Sequence, residues 1–295
     1  MNSANLTSMC NVANASCKVH SFLGFSYSLV FVVGFFVNTV ALHAFIMRRH
    51  AWTDTHIYMF NLVIADSALI ICIPFRIYHS FFCLDKTLLC TFLIFIHFIN
   101  MYSSILTTTA ISAHRYFAVR FPLRVRSWRR KKETAFAVCL LIWIALLAIA
   151  AVFREDNYPR KLWTCFERCK DQPLHFEFVA ILLCLGFLVP LLIVAFCSSQ
   201  MISIMLKAGG ESSPLQRSIV GIVTANLVVF IVCYTPLHVS IFTNFFYRPP
   251  ANWTSVYLPA YAYLRVAEWI SSTNCCLDSV SYYFLLKTSY PSVSV

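Results

Sequence analysis

RVRSWRRKKETAFAVCLLIWIALLAIAAVF, residues 124–153, sets two chemistries side by side. Its opening, RVRSWRRKK (124–132), is strongly basic, whereas no charged residue occurs from Thr134 to Phe153. A helix needs roughly 20 apolar residues to cross the hydrocarbon of a bilayer. Lys and Arg gather on the cytoplasmic flank of such helices. The stretch therefore specifies a membrane-spanning helix whose N-terminal end lies in the cytoplasm.

The rest of the chain has the same character. Of its 295 residues, 59% are hydrophobic and 12% charged, against roughly 45–50% and 25% in soluble domains. The net charge of +11 would suggest nucleic acid only if it formed a basic face on a soluble domain. Much of it falls instead in the 124–132 stretch, which excludes a nucleic-acid partner. Seven apolar blocks can be drawn, at 22–47, 57–83, 88–120, 134–153, 174–206, 216–246 and 256–286. They lack the short alternation of a membrane barrel, so the expected fold is all-α, a seven-transmembrane helix bundle. Neither inverted repeats nor paired interrupted helices are visible, and a transporter would call for them.

Orientation follows from an independent signal. The sequons at Asn5, Asn14 and Asn252 accept glycans only on the lumenal side. Two precede the first block and one follows the sixth, so an even number of crossings separates them. The N-terminus is then outside, the C-terminus cytoplasmic, and 124–132 falls in the cytoplasm as the charge rule requires. Residues 1–20 lack the basic start of a cleaved signal peptide, so the first block is expected to direct insertion. The chain divides into a glycosylated extracellular N-terminus (1–21), the helix bundle (22–286) and a cytoplasmic tail (287–295) that is short or truncated.

The thirteen cysteines sort by location. Cys72, Cys139, Cys184, Cys197, Cys233, Cys275 and Cys276 lie in apolar runs and are expected to be free and buried. Cys10, Cys17, Cys83, Cys90, Cys165 and Cys169 lie in or beside polar segments and suit disulfides on an oxidising outer side. Arg76, Arg154 and Arg265 each stand near the outer end of a different helix. Each either snorkels to the headgroups or helps form a basic pocket for an anionic ligand; Glu268 would restrain one arginine until a ligand replaced it.

Several motifs, in order, carry a family resemblance over nearly the whole chain. They are GFFVN with Asn38, NLVIAD with Asp66, Cys90, HRYFAVRFPL (114–123), Trp143, Pro190, CYTP (233–236) and NCCLDSVSYY (274–283). Together they resemble the rhodopsin-like (class A) G-protein-coupled receptors. WTDTHIYMFNLVIAD, TPLHV and NCCLDSVSYYF look most like the kynurenate- and lysophosphatidylinositol-responding receptors of the purinergic-receptor-like branch, whose ligands are anionic. The resemblance implies a plasma-membrane receptor with a heterotrimeric G protein as partner. A non-signalling chemokine-binding or scavenging receptor is the competing class. No metal-ligand spacing or nucleophile–base pair suggests an enzyme.

The same resemblance assigns roles. Arg115, Tyr116 and Leu123 would engage the G protein. Phe230, Tyr234 and Pro236 of the sixth helix and Asp278 and Tyr282 of the seventh would form the activation switch. His114 belongs with them as a departure: the family usually has an acid there to hold the arginine, so a weakly locked resting state is expected. A carboxylate at mid-bilayer costs roughly 2.5–3.5 kcal/mol. Asp278 shares that burden with Asp66, and Asn100, Ser104 and Asn274 complete an oxygen-rich site suited to sodium. A protonated or water-bridged pair without an ion is the alternative. Ser279 replaces the family's usual proline, so less bending is expected there. Cys90 and Cys165 match the family's disulfide, while Cys10, Cys17, Cys83 and Cys169 admit several pairings. The expected ligand set is Arg76, His97, Arg154, His238 and Arg265, with a hydrogen-bonded core role as the alternative for each histidine.

Overall fold

In a computed structural model that describes residues 20–47, 49–122, 132–153, 162–168, 174–207, 214–246 and 259–279, the apolar blocks are helices. Helix α1 (Ser21–Met47) shows why they assemble. Leu23, Tyr27, Val30, Gly34, Asn38, Ala41 and Phe45 recur at helical spacing and are buried, whereas Phe22, Phe25, Phe36 and Val40 are exposed. The outward face is as apolar as the inward one, and the polar Asn38 points in. Such an arrangement suits lipid, not water.

Helix α2 (Asp54–Phe82) starts at Thr53, whose backbone N–H donates to His56 Nδ1 at 3.0 Å. Helix α3 (Leu88–Arg120) has the limits read from the sequence, and α4 (Lys132–Val152) follows. A small antiparallel hairpin then interrupts the helical pattern, with β1 (Leu162–Thr164) paired to β2 (Glu167–Arg168). No apolar alternation announced these strands. They are fixed by the Cys90–Cys165 disulfide, which ties the hairpin's turn to the start of α3.

Helix α5 (Phe176–Lys207) contains a π turn at Cys184–Leu188. Pro190 has no N–H to offer the Gly186 carbonyl, and Val189 instead donates to Cys184. One extra residue is thereby absorbed without breaking the helix. Helix α6 (Pro214–Phe246) carries Pro236 internally. Helix α7 (Pro259–Ser272) is interrupted at Thr273 and resumes to residue 279. The side chains of Ser271 and Ser272 donate to the Glu268 carbonyl, and Thr273 to that of Ile270. Side-chain hydroxyls competing for backbone acceptors bend helices. The interruption at Thr273 lies six residues before Ser279 along the chain.

Six of the helices are long and apolar enough to span a bilayer; α7 completes the bundle of seven. Lipid gives helices no hydrophobic incentive to associate, so packing and interhelical hydrogen bonds hold the bundle. Asn61 on α2 donates to Thr107 on α3 and accepts from Trp143 on α4, at 3.0 and 2.7 Å. Asn38 on α1 donates to the Cys275 carbonyl on α7 at 2.9 Å and accepts from Ser279 at 2.9 Å. Each such bond contributes about 0.6 kcal/mol on average.

The cysteines of the apolar runs are free as expected, but three differ in burial: Cys72 and Cys276 are half-buried and Cys184 is exposed. Cys83 is disulfide-bonded. Cys10, Cys17 and Cys169, the sequons Asn5, Asn14 and Asn252, and the site candidates Leu123, Arg154 and Tyr282 lie outside the described residues.

Candidate functional site

Pro74 interrupts the hydrogen bonding of α2 one half-turn before Arg76, which is buried inside the bundle. Its Nη1 donates to Tyr27 Oη on α1 and to Glu268 Oε2 on α7, both at 3.2 Å. The guanidinium carbon lies 4.5 Å from the centroid of the Phe166 ring. That ring also packs edge-on against His79, at 5.2 Å. Phe166 adopts φ 73°, a left-handed conformation that a bulky residue rarely holds unless its surroundings impose it. The disulfide and hairpin do so here, which aims an aromatic lid at the arginine.

Arg76, Glu268 and Phe166 line one end of a cavity of about 860 Å³. Small-molecule sites span roughly 300–1,000 Å³. His97 on α3 also lines it, and neither ring nitrogen has a hydrogen-bond partner among the described residues although the residue is buried. Leaving such groups unpaired is costly. Arg265 sits one turn before Glu268 on α7, buried, with its Nη1 unpartnered among the described residues.

His238, like Arg265 and unlike Arg76 and His97, lies off the large cavity. Its Nδ1 faces the Tyr234 carbonyl at 2.8 Å, its Nε2 the Tyr102 hydroxyl at 3.2 Å, and its ring stacks on Phe187 at 4.2 Å. Phe187 continues in parallel to Phe230, which meets Tyr234 edge-on at 5.3 Å. These rings couple α3, α5 and α6 in one aromatic column beneath the cavity. Gly186, in the π turn, admits Tyr102: a Cβ there would lie 2.5 Å from Tyr102 Cε1.

Deeper still, Asn100 donates to Asp66 Oδ1 at 3.0 Å and Asn274 to Asp278 Oδ2 at 2.6 Å. The two carboxyl groups are near enough to interact electrostatically. Asp66 Oδ2 and Ser104 Oγ are buried without hydrogen-bond partners among the described residues, and Ser104 lies against Tyr234. Orphaned hard oxygens beside two carboxyl groups fit a small hard cation. At the far pole Arg115 lines a cavity of about 20 Å³ with Asn226, Tyr234, Asn274 and Asp278. His114 Nε2 lies 3.6 Å from Asp54 Oδ2. Gln216 at the start of α6 donates to the Met205 carbonyl on α5.

Sequence reasoning did not single out Tyr27, Phe166, Tyr102, Phe187 or Asp54 for these roles. Tyr27 had a signal in the buried stripe of α1. The others have none, since their roles depend on partners far along the chain.

The model of the 7 transmembrane receptor (rhodopsin family) matches residues 37–282. The chain is 34% identical to the mouse (Mus musculus) protein named G-protein coupled receptor 35 over 274 residues, 92% of this chain and 87% of that one. It is 30% identical to human (Homo sapiens) G-protein coupled receptor 55 over 269 residues, covering 87% and 82% of the two chains. Against a chicken (Gallus gallus) purinoceptor it is 30% identical over 296 residues, covering 95% and 80%.

Proposed function

Since the chain belongs to the rhodopsin family of seven-transmembrane receptors, we propose that a small anionic metabolite or a lysophospholipid, bound at Arg76, activates it to signal through heterotrimeric G proteins. Its family is one of multi-pass plasma-membrane receptors rather than enzymes. The observation that carries the ligand class is Arg76 buried in the wall of a large cavity, paired with Glu268 at 3.2 Å, with His97 in the same wall and unpartnered among the described residues.

An anion competes with Glu268 for a cation that is already desolvated. Charge-assisted hydrogen bonds are strong where water is excluded, and a guanidinium can hold carboxylate or phosphate with two donors. His97 supplies a further donor or acceptor, and Arg265 and Arg154 further positive charge. Release of Glu268 loosens the tie between α2 and α7. Below, the His238–Phe187–Phe230–Tyr234 column passes the displacement to α6, where Pro236 gives the helix its hinge. Arg115, Tyr116 and Leu123 then contact the G protein, with the 124–132 stretch on the cytoplasmic face and the glycosylated N-terminus outside. Asp278 and Tyr282 repack as α7 shifts.

Asp66, Asn100, Ser104, Asn274 and Asp278 would hold sodium in the resting state. The ion would neutralise the carboxylates and draw α2, α3 and α7 together.

Guanine-nucleotide exchange by purified receptor and mixed G proteins, screened with carboxylates, phosphates and lysophospholipids, tests the proposal. Exchange should rise with an anion, need about ten- to hundredfold more of it in Arg76→Gln, and be lost in Arg115→Ala. A receptor that reaches the surface yet responds to no anion sinks it.

A further inference from the structure

The large cavity is not a closed cup. From the Arg76–Glu268 end it runs past His97 and Phe98 to Leu88 and Phe92 on α3 and Leu147 and Ala151 on α4. Those last side chains lie on the outer flank of the bundle: Phe92 is 54% and Leu147 49% exposed. Both belong to helices that cross the bilayer, so the flank they form faces acyl chains. Between the two ends, Ile94, Phe95, Phe153 and Phe178 make the wall apolar. Charge thus sits at the inner end, hydrocarbon surface lines the path, and the far end opens sideways.

A soluble metabolite matches only the inner end of this space. We infer that the ligand is an anionic amphiphile with a single hydrocarbon chain, which enters from the bilayer between α3 and α4. Its headgroup lies at Arg76 and His97, and its chain lies along Phe95 and Phe178 towards the Leu147–Ala151 opening. The inference rests on the anion reading above and selects the lysophospholipid class within it. The physical grounds are complementary charge at one end and continuity with lipid at the other. An acyl chain already in the bilayer exchanges one apolar surrounding for another on entry, so it needs no passage through water.

Two probes separate the headgroup from the route: phenyl phosphate, which carries the anion alone, and dodecyl phosphate, which adds a chain. Binding of each is measured on full-length receptor in nanodiscs, referred to probe concentration in the bilayer. Ala151→Trp and, separately, Leu147→Trp place bulk at the opening. Both should weaken dodecyl phosphate about tenfold or more and slow its association, while phenyl phosphate binds as before. Arg76→Gln should weaken both probes. Unchanged dodecyl phosphate binding in both tryptophan variants overturns the lateral route while the anion reading stands. Equal losses for the two probes overturn it as well, since they would report a collapsed cavity. Indifference of both probes to Arg76→Gln overturns the anion reading itself.

Discussion

His114 Nε2 lies 3.6 Å from Asp54 Oδ2, so the residue preceding Arg115 is engaged by the first turn of α2 rather than by the arginine. Arg115 has no ion pair among the described residues, and Gln216 is turned towards α5. A weak resting grip on Arg115 is the expected consequence, and the receptor should then signal without agonist. His114→Asp supplies a carboxylate that Asp54 repels, which leaves Arg115 as its natural partner. Basal nucleotide exchange should fall severalfold in this variant. Wild-type receptor that signals no more than Arg115→Ala would refute the idea.

The Arg76–Glu268 pair has side-chain exposures of only 7% and 18%. Removing one partner of a buried pair costs about 3–5 kcal/mol, and the partly exposed Glu268 places its loss near the lower end. Glu268→Gln should lower the thermal unfolding midpoint, and a phosphate or carboxylate ligand should recover part of the loss. The same variant should bind anions more tightly, because the internal competitor is gone. A midpoint unmoved by the substitution would show that the pair is not stabilising.

Arg76→Gln should weaken an anionic agonist about ten- to hundredfold, corresponding to the ~1.5–3 kcal/mol of a hydrogen bond to a charged group. Surface expression should persist, since glutamine can still bond Tyr27. Dose–response curves corrected for surface receptor will show this. Unaltered potency in Arg76→Gln and in Arg265→Gln would remove the basic pocket from the account.

Asp66 Oδ2 is buried and unpartnered among the described residues, which makes it the most exacting test of the cation site. Agonist affinity measured in sodium should be lower than in an impermeant organic cation, and Asp66→Asn should erase the difference. Identical affinities in the two salts for the wild type would leave a hydrated or protonated carboxyl pair as the better description.

Gly186→Ala adds a methyl 2.5 Å from a Tyr102 ring carbon, and that ring is held by His238 at 3.2 Å. Overpacking costs about 1–3 kcal/mol, more than the ~1 kcal/mol that alanine gains over glycine in a helix. The variant should melt earlier than wild type. An unchanged or raised midpoint would show that the π turn yields without loss.

The number and course of the helices were legible in the chain itself. The block expected at 88–120 is Leu88–Arg120, because twenty or more apolar residues in lipid must satisfy their own backbone, and a helix does so locally. The Cys90–Cys165 disulfide was visible by resemblance. Arg76 and Glu268 were each suspected. That they pair was not readable, since 192 residues separate them and Arg265, on the same helix as Glu268, was an equal contender.

Local regularity is written into neighbouring residues, so composition and the spacing of apolar blocks determined a seven-helix membrane bundle, and the order of its motifs a receptor. Partner choice belongs to the packed bundle. Only there does His114 meet Asp54, does His238 meet Tyr102 and Phe187, and does Phe166 close over Arg76. The hydroxyls of Ser271, Ser272 and Thr273 likewise compete for backbone acceptors where α7 is interrupted. In each case a polar or strained group takes the nearest partner that excludes water, and which partner is nearest is a property of tertiary structure.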